Sequence, residues 1–260
     1  MSHGFYVYAI ARAGHPLPDG VEGVDGTTGI ASLDAAGLSA IYTAVDLVEF
    51  SQPVIDARSK DVEWLGAIGY RHQAVMAALL HHRTIIPLRA FTLFSSADAL
   101  RAHLERDREQ FESILARVDG KQEWTLRIEF EPEQWQNALA ARVDDLRALV
   151  DEIASAGAGK AFLLRKKLEE EKKKASRDAE QQVVAEIESA VIEKLACATV
   201  SESRQQRGGA FPQINVLLER DEEAVLQELQ SDLGARYAHE GVTIALTGPW
   251  PPYTFATTNG

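Results

Sequence analysis

The side chains able to do chemistry are scattered along this sequence. Gly157-Ala158-Gly159-Lys160 invites comparison with a loop that cradles phosphate on backbone N–H groups and reaches it with a lysine. Two parts of such a loop are wrong: Ala154 stands where a further glycine is required, and Ala161 where a hydroxyl would hold magnesium. Of the seven histidines only His81 and His82 adjoin, and neighbours on a helix point about 100° apart, so they make no two-ligand face. His72 falls on an apolar helical stripe and reads as a core histidine. The carboxylates form solvated runs, at Asp144 and Asp145, Glu169 to Glu171 and Asp221 to Glu223, with none set in an apolar pocket that would raise its pKa. The single cysteine, Cys197, lies at an apolar helix end and reads as a buried, inert thiol. No G-x-S-x-G, triad or Gly-rich dinucleotide turn occurs. The residues imply no enzyme, no metal and no cofactor.

What remains is recognition. Lys172, Lys173 and Lys174 form a cationic block on a helix, suited to salt-sensitive contact with another protein, against the alternative of a solvated charged face with no partner. The tail, T-G-P-W-P-P-Y-T-F over 247–255, holds three prolines among aromatics, and a stiffened segment loses less entropy when its rings pack. Trp250, Pro251, Pro252, Tyr253 and Phe255 are therefore candidates for partner binding, against the alternative that they cover the last strand or an interdomain seam.

These groups depend on the elements that carry them. From about 160 to 198 the chain is free of glycine and proline and rich in helix formers, which predicts one long helix. Apolar residues cluster at its start (Ala161, Phe162, Leu163, Leu164) and in its last third (Val183, Val184, Ile187, Val191, Ile192, Leu195), so both ends should dock. The stretch between is charged, with Glu169 to Lys173 and Glu170 to Lys174 paired at i,i+4, and is expected to protrude as a solvated arm.

Around that helix the composition is that of a soluble globular chain of 260 residues, 45% hydrophobic and 25% charged, with room for two domains. A net charge of −12 argues against nucleic acid as partner, and the absence of a long apolar run argues against a membrane span. With one cysteine and no signal-like start, a cytosolic chain is expected.

The first domain, 1–119, reads as strands at Phe5–Ala11, Thr28–Leu33 and Leu38–Val45, a helix from Asp61 to about His82, a short strand at Thr84–Leu88, an apolar loop at Phe91–Phe94 and a helix over Ser96–Val118 capped by Ser95 or Ser96. The second, 120–260, reads as a strand at Lys121–Phe130, a helix from Pro132 to about Ala154 and the long helix. Strands at Thr199–Arg204 and Phe211–Glu219, a helix from Asp221, read as its cap, to Tyr237, and a strand at Val242–Leu246 follow. The fold class is thus α+β in two domains. The order strand, helices, strand, strand, helix, strand fits a ferredoxin-like arrangement for the second, with the tail 247–260 at its end.

The tail G-P-W-P-P-Y-T-F at 248–255 resembles the C-terminal signature of the gas vesicle GvpL/GvpF family. Y-V-Y-A-I at 6–10, I-I-P-L-R-A-F-T-L-F at 85–94 and G-K-Q-E-W at 120–124 agree with it in order. Where many relatives read R-F-G-T, this chain has Arg89-Ala90-Phe91-Thr92. The resemblance implies an accessory or minor structural protein needed for gas vesicle assembly. It also implies ferredoxin-like parts, a location at the gas vesicle in the cytoplasm, and the small hydrophobic shell protein GvpA, with other accessory proteins, as partners. The alternative from the residues alone is a small-ligand regulatory module, which a ligand-induced shift in melting temperature would reveal.

Overall fold

The structure is a computed structural model that describes residues 3–80, 84–195, 199–203 and 211–256. His81, His82, Cys197 and Arg204 lie outside them. The chain divides into two compact units, Met1–Glu123 with Pro249–Gly260, and Trp124–Gly248. The tail, read from sequence as the end of the second domain, therefore belongs with the first unit. The prolines stiffen it, but the partners that hold it lie far away in sequence.

In the first unit, β1 (His3–Arg12) is the central strand. It pairs antiparallel with β3 (Leu38–Asp46), which forms a hairpin with β2 (Ala31–Ala35) through a turn at Ala36-Gly37, where both residues take positive φ. The short helix α1 (Gln52–Arg58) and the long α2 (Val62–Leu80) follow. On its other side β1 meets β4 (Ile86–Pro87) and β5 (Leu93–Phe94), so the expected apolar loop at Phe91–Phe94 ends as a strand. The predicted single helix to Val118 is two, α3 (Ala97–Arg106) and α4 (Arg108–Val118), broken at Asp107, and Ser96 Oγ caps the first by accepting from Ala99 N–H.

Every side chain from Tyr6 to Ala11 is fully buried, because helices cover both faces of the sheet. Tyr6 and Tyr8 pack in a core with Val75, Met76 and Leu79 of α2, and Val7 and Ile10 in another with Leu100, Leu104 and Leu115 of α3 and α4. Strict alternation would put Ala9 with Val7, yet it packs with Tyr8. The register slips by one residue between Val7 and Ala9, and this bulge returns Ala9 and Ala11 to the α2 side.

The second unit is built on β6 (Lys121–Phe130), α5 (Pro132–Arg142), α6 (Asp144–Ser155), α7 (Ala158–Lys194), β7 (Thr199–Ser203), β8 (Gln213–Glu219), α8 (Glu223–Tyr237) and β9 (Val242–Trp250). Its sheet runs β7-β8-β6-β9. Alternation on β6 places Trp124, Leu126 and Ile128 in one core with the helices. Pro132 opens α5, where the missing N–H costs nothing, and the Glu131 carboxylate caps it by accepting from the N–H groups of Glu133 and Gln134. The predicted helix to Ala154 breaks at extended Val143. Glu219, not Asp221, forms a capping box with Glu222 ahead of α8.

Helix α7 has 37 residues, or about 55 Å at 1.5 Å each, but its first half is not a free arm. Helix α6 folds back along it: Leu146, Leu149 and Ile153 pack in the same core as Leu168, Ala175 and Ala179. A stripe at seven- and then four-residue spacing, Ala161, Leu168, Ala175, Ala179, Val183, Ile187 and Val191, runs nearly the whole helix. The expectation that its first turn docks fails for two residues, Phe162 at 68% and Leu163 at 66% exposure, which point off the stripe.

Candidate functional site

The tail begins as the end of β9, which runs on through Gly248, Pro249 and Trp250 instead of stopping at Leu246. Pro251 and Pro252 are buried, and the chain then turns tightly, Tyr253 N–H donating to Pro251 O at 2.7 Å and Ala256 N–H to Pro252 O at 2.7 Å. With φ fixed at two positions, this turn is largely preformed before it docks.

Three polar clamps seat it on the first unit. His72 of α2 lies 3.2 Å through Nε2 from the Tyr253 hydroxyl and 3.0 Å through Nδ1 from the Tyr6 hydroxyl. The Tyr6 oxygen also accepts from Phe91 N–H at 3.1 Å. A neutral imidazole has one donor and one acceptor nitrogen, so His72 can bridge the two hydroxyls in either tautomer. Burial among aromatic rings holds its pKa down at about 4 and pushes the Tyr253 hydroxyl up to about 12.

The second clamp is Glu123 of β6, a buried carboxylate whose two oxygens accept from Thr254 N–H at 2.9 Å and Thr254 Oγ1 at 2.7 Å. Burial raises its pKa, and these hydrogen bonds, with one to the backbone of Phe255, pull back. The third is Arg117 of α4, which donates to Phe255 O at 2.6 Å. Beneath them Tyr253 packs on the α2 core and Ala256 joins the α3–α4 core.

The candidate residues thus divide. Pro251, Pro252 and Phe255 are buried, Tyr253 is partly buried and hydrogen-bonded, and Trp250 remains 40% exposed. Lys172, Lys173 and Lys174 belong to the second unit, so the structure does not join them with the tail in one compact unit. The side chain of Lys172 is 12% exposed with Glu169 at 3.5 Å, Lys174 pairs with Glu171 at 2.9 Å, and Lys173 faces solvent. Sequence reasoning found the tail but missed Glu123 and Arg117. Glu123 sits on an alternating strand beside Trp124, and no local signal marks it as buried.

Elsewhere the charged groups serve structure. Arg142 of α5 pairs with Glu186 of α7 at 3.0 Å and with Glu240, and the Tyr237 hydroxyl donates to Glu186 at 2.8 Å. These pairs hold the Arg142 guanidinium firmly protonated. Among the described residues no cluster of His, Cys, Asp and Glu is placed to hold a metal ion, and no helix is long and apolar enough to cross a membrane.

A fold with three separate cores and a docked aromatic tail can be compared with known proteins along its whole length. The chain is 31% identical to gas vesicle protein L of Streptomyces sp. (strain CB03234), covering 96% of this chain and 92% of that protein. It is 26% identical to gas vesicle protein L1 of Halobacterium salinarum, covering 98% and 91%. The crystal structure of gas vesicle protein GvpF from Microcystis aeruginosa superposes with a TM-score of 0.67 at 16% identity, over 98% of this chain and 99% of that one. The family model described as gas vesicle synthesis protein GvpL/GvpF matches residues 4–257, which takes in nearly all of β1, the three cores and the docked tail, and the chain belongs to that family.

Proposed function

We propose that this chain is an accessory or minor structural protein of gas vesicle assembly that works at the vesicle within the cytoplasm and binds the small shell protein GvpA. The observation that carries the reading is the family match over residues 4–257, whose description is one of gas vesicle synthesis. A soluble partner has a plain physical task there. A wall that keeps water out needs hydrophobic subunits, and these aggregate unless shielded before they assemble. The sheet order β7-β8-β6-β9, with helices between β6 and β7 and between β8 and β9, supports a ferredoxin-like reading of the second unit.

Trp250 is the tail ring left with substantial exposure, and so the contact proposed on the tail centres on it. Deleting the tail is a poor test, since its removal would also strip Tyr253 and Ala256 from the cores of the first unit. The better test is a pull-down of co-expressed shell protein on the intact chain, on Trp250→Ala and on a variant with Lys172, Lys173 and Lys174 changed to Gln. Retention by the intact chain and loss with Trp250→Ala is expected if the tail is the contact. Loss with the glutamine variant would move the contact to α7. No retention by the intact, folded chain would sink the proposal of direct shell-protein binding.

A further inference from the structure

The outward face of α7 opposes its buried stripe. At about 100° per residue, Gly159, Phe162, Leu163, Lys166, Glu170, Lys173 and Arg177 fall within one sector centred opposite Leu168. All are exposed. Neither α6, which lies beside Lys167, Glu171 and Lys174, nor α5, which meets Ser176, covers them. Among the described residues the side chains of Lys166, Lys173 and Arg177 make no hydrogen bond or ion pair, and Glu170 makes none beyond its coulombic interaction with Lys174. Two large apolar side chains, three unpaired cations and Glu170 thus share a face about 27 Å long.

The face carries three cations and one anion, and one antiparallel register sets the anion of each copy against a cation of the other. A two-fold axis at the level of Leu168, perpendicular to the helix, pairs each residue with the one equally far on the other side. It sets Lys166 of one copy against Glu170 of the second, and Glu170 against Lys166. Leu163 then meets Lys173 of the second copy, whose aliphatic stem covers apolar side chains while its ammonium group stays in water. Arg177 falls opposite Gly159, where the missing side chain leaves open space. We propose that the outward face of α7 is a docking surface for a second copy of this chain, in an antiparallel, two-fold helix pair held by reciprocal Lys166–Glu170 contacts. A contact along one helix face is small, so the association is concentration- and salt-dependent.

Charge exchange tests this directly. By sedimentation velocity over a wide concentration range, the full chain should self-associate, and more weakly at high salt. Lys166→Glu alone and Glu170→Lys alone each turn both reciprocal contacts into like-charge pairs and should weaken association roughly tenfold or more. An equimolar mixture of the two variants restores opposite charges at both contacts and should re-associate, as should the doubly exchanged chain. Far-ultraviolet circular dichroism and melting of each variant check that α7 is intact. A full chain that stays monomeric at every concentration, single variants that associate as before, or a mixture that fails to re-associate would each overturn the proposal.

Discussion

Protonation of His72 would place a cation among Tyr6, Tyr8 and Tyr253, where among the described residues no carboxylate offsets its burial. The folded chain keeps this imidazole neutral down to about pH 4, while the unfolded chain takes up its proton at the ordinary value near 6.5. The sign follows: the contribution is present in full above about 6.5 and is lost as pH falls toward 4, by up to about 3 kcal/mol. Glu123 works the other way, since its raised pKa makes the folded chain hold a proton that the unfolded chain has released. Melting temperature against pH should therefore fall between 6.5 and 4, and His72→Gln, which keeps one donor and one acceptor, should flatten that fall. An unchanged slope in the variant would show that other groups set the acid limit. Gly241 is the second sensitive residue. Its φ is +77°, and an added Cβ would lie 2.6 Å from Gln134 Cβ and 3.1 Å from Trp135 N. Gly241→Ala should cost about 1–3 kcal/mol, read as a lower urea midpoint at constant slope.

Among the elements, α7 was legible in length and mistaken in surroundings. Its stripe uses alanines at 161, 175 and 179 beside Leu168, and alanine is too common on exposed helix faces to announce burial. The amphipathic α6 that covers it was hidden inside a helix read as continuous. The breaks at Asp107 and Val143 carry no glycine or proline, and backbone bonding runs almost unbroken across both: Asp107 N–H donates to His103 O and Phe111 N–H to Asp107 O, and Val143 N–H to Leu139 O and Arg147 N–H to Val143 O. Strands were easier to read, since alternation marks a half-buried face wherever it occurs, as on β6. The tail was legible as rigid and aromatic, whereas its seat was not, because His72 and Tyr253 are separated by 181 positions. Leu168→Ala separates the two views of α7. A solvated arm would lose within about 0.5 kcal/mol, whereas packing against α6 should cost about 2 kcal/mol or more. Amide exchange confined to α6 and the first half of α7 should then quicken, and uniform protection equal to the parent would return the arm to solvent.

For the whole molecule, the chain leaves the first unit at Glu123 and re-enters it at Pro249, so the second unit is an insertion whose two ends are the neighbouring strands β6 and β9. An inserted unit with its own core and adjacent ends needs little from its host. The host, by contrast, needs the return strand, because Tyr253 and Ala256 complete its two cores and Glu123 would otherwise be a buried carboxylate without its Thr254 donors. A fragment of residues 121–250 should therefore fold cooperatively by itself. A fragment of 1–123 should be markedly less stable than the same fragment joined at Glu123, through a short Gly/Ser linker, to residues 249–256. Urea titrations of the three fragments, followed by tryptophan fluorescence for the first and circular dichroism for the others, read this out. Equal midpoints for the host fragment with and without 249–256 would mean that the tail rests on the first unit without supporting it, leaving the clamps of His72, Glu123 and Arg117 free to serve release rather than stability.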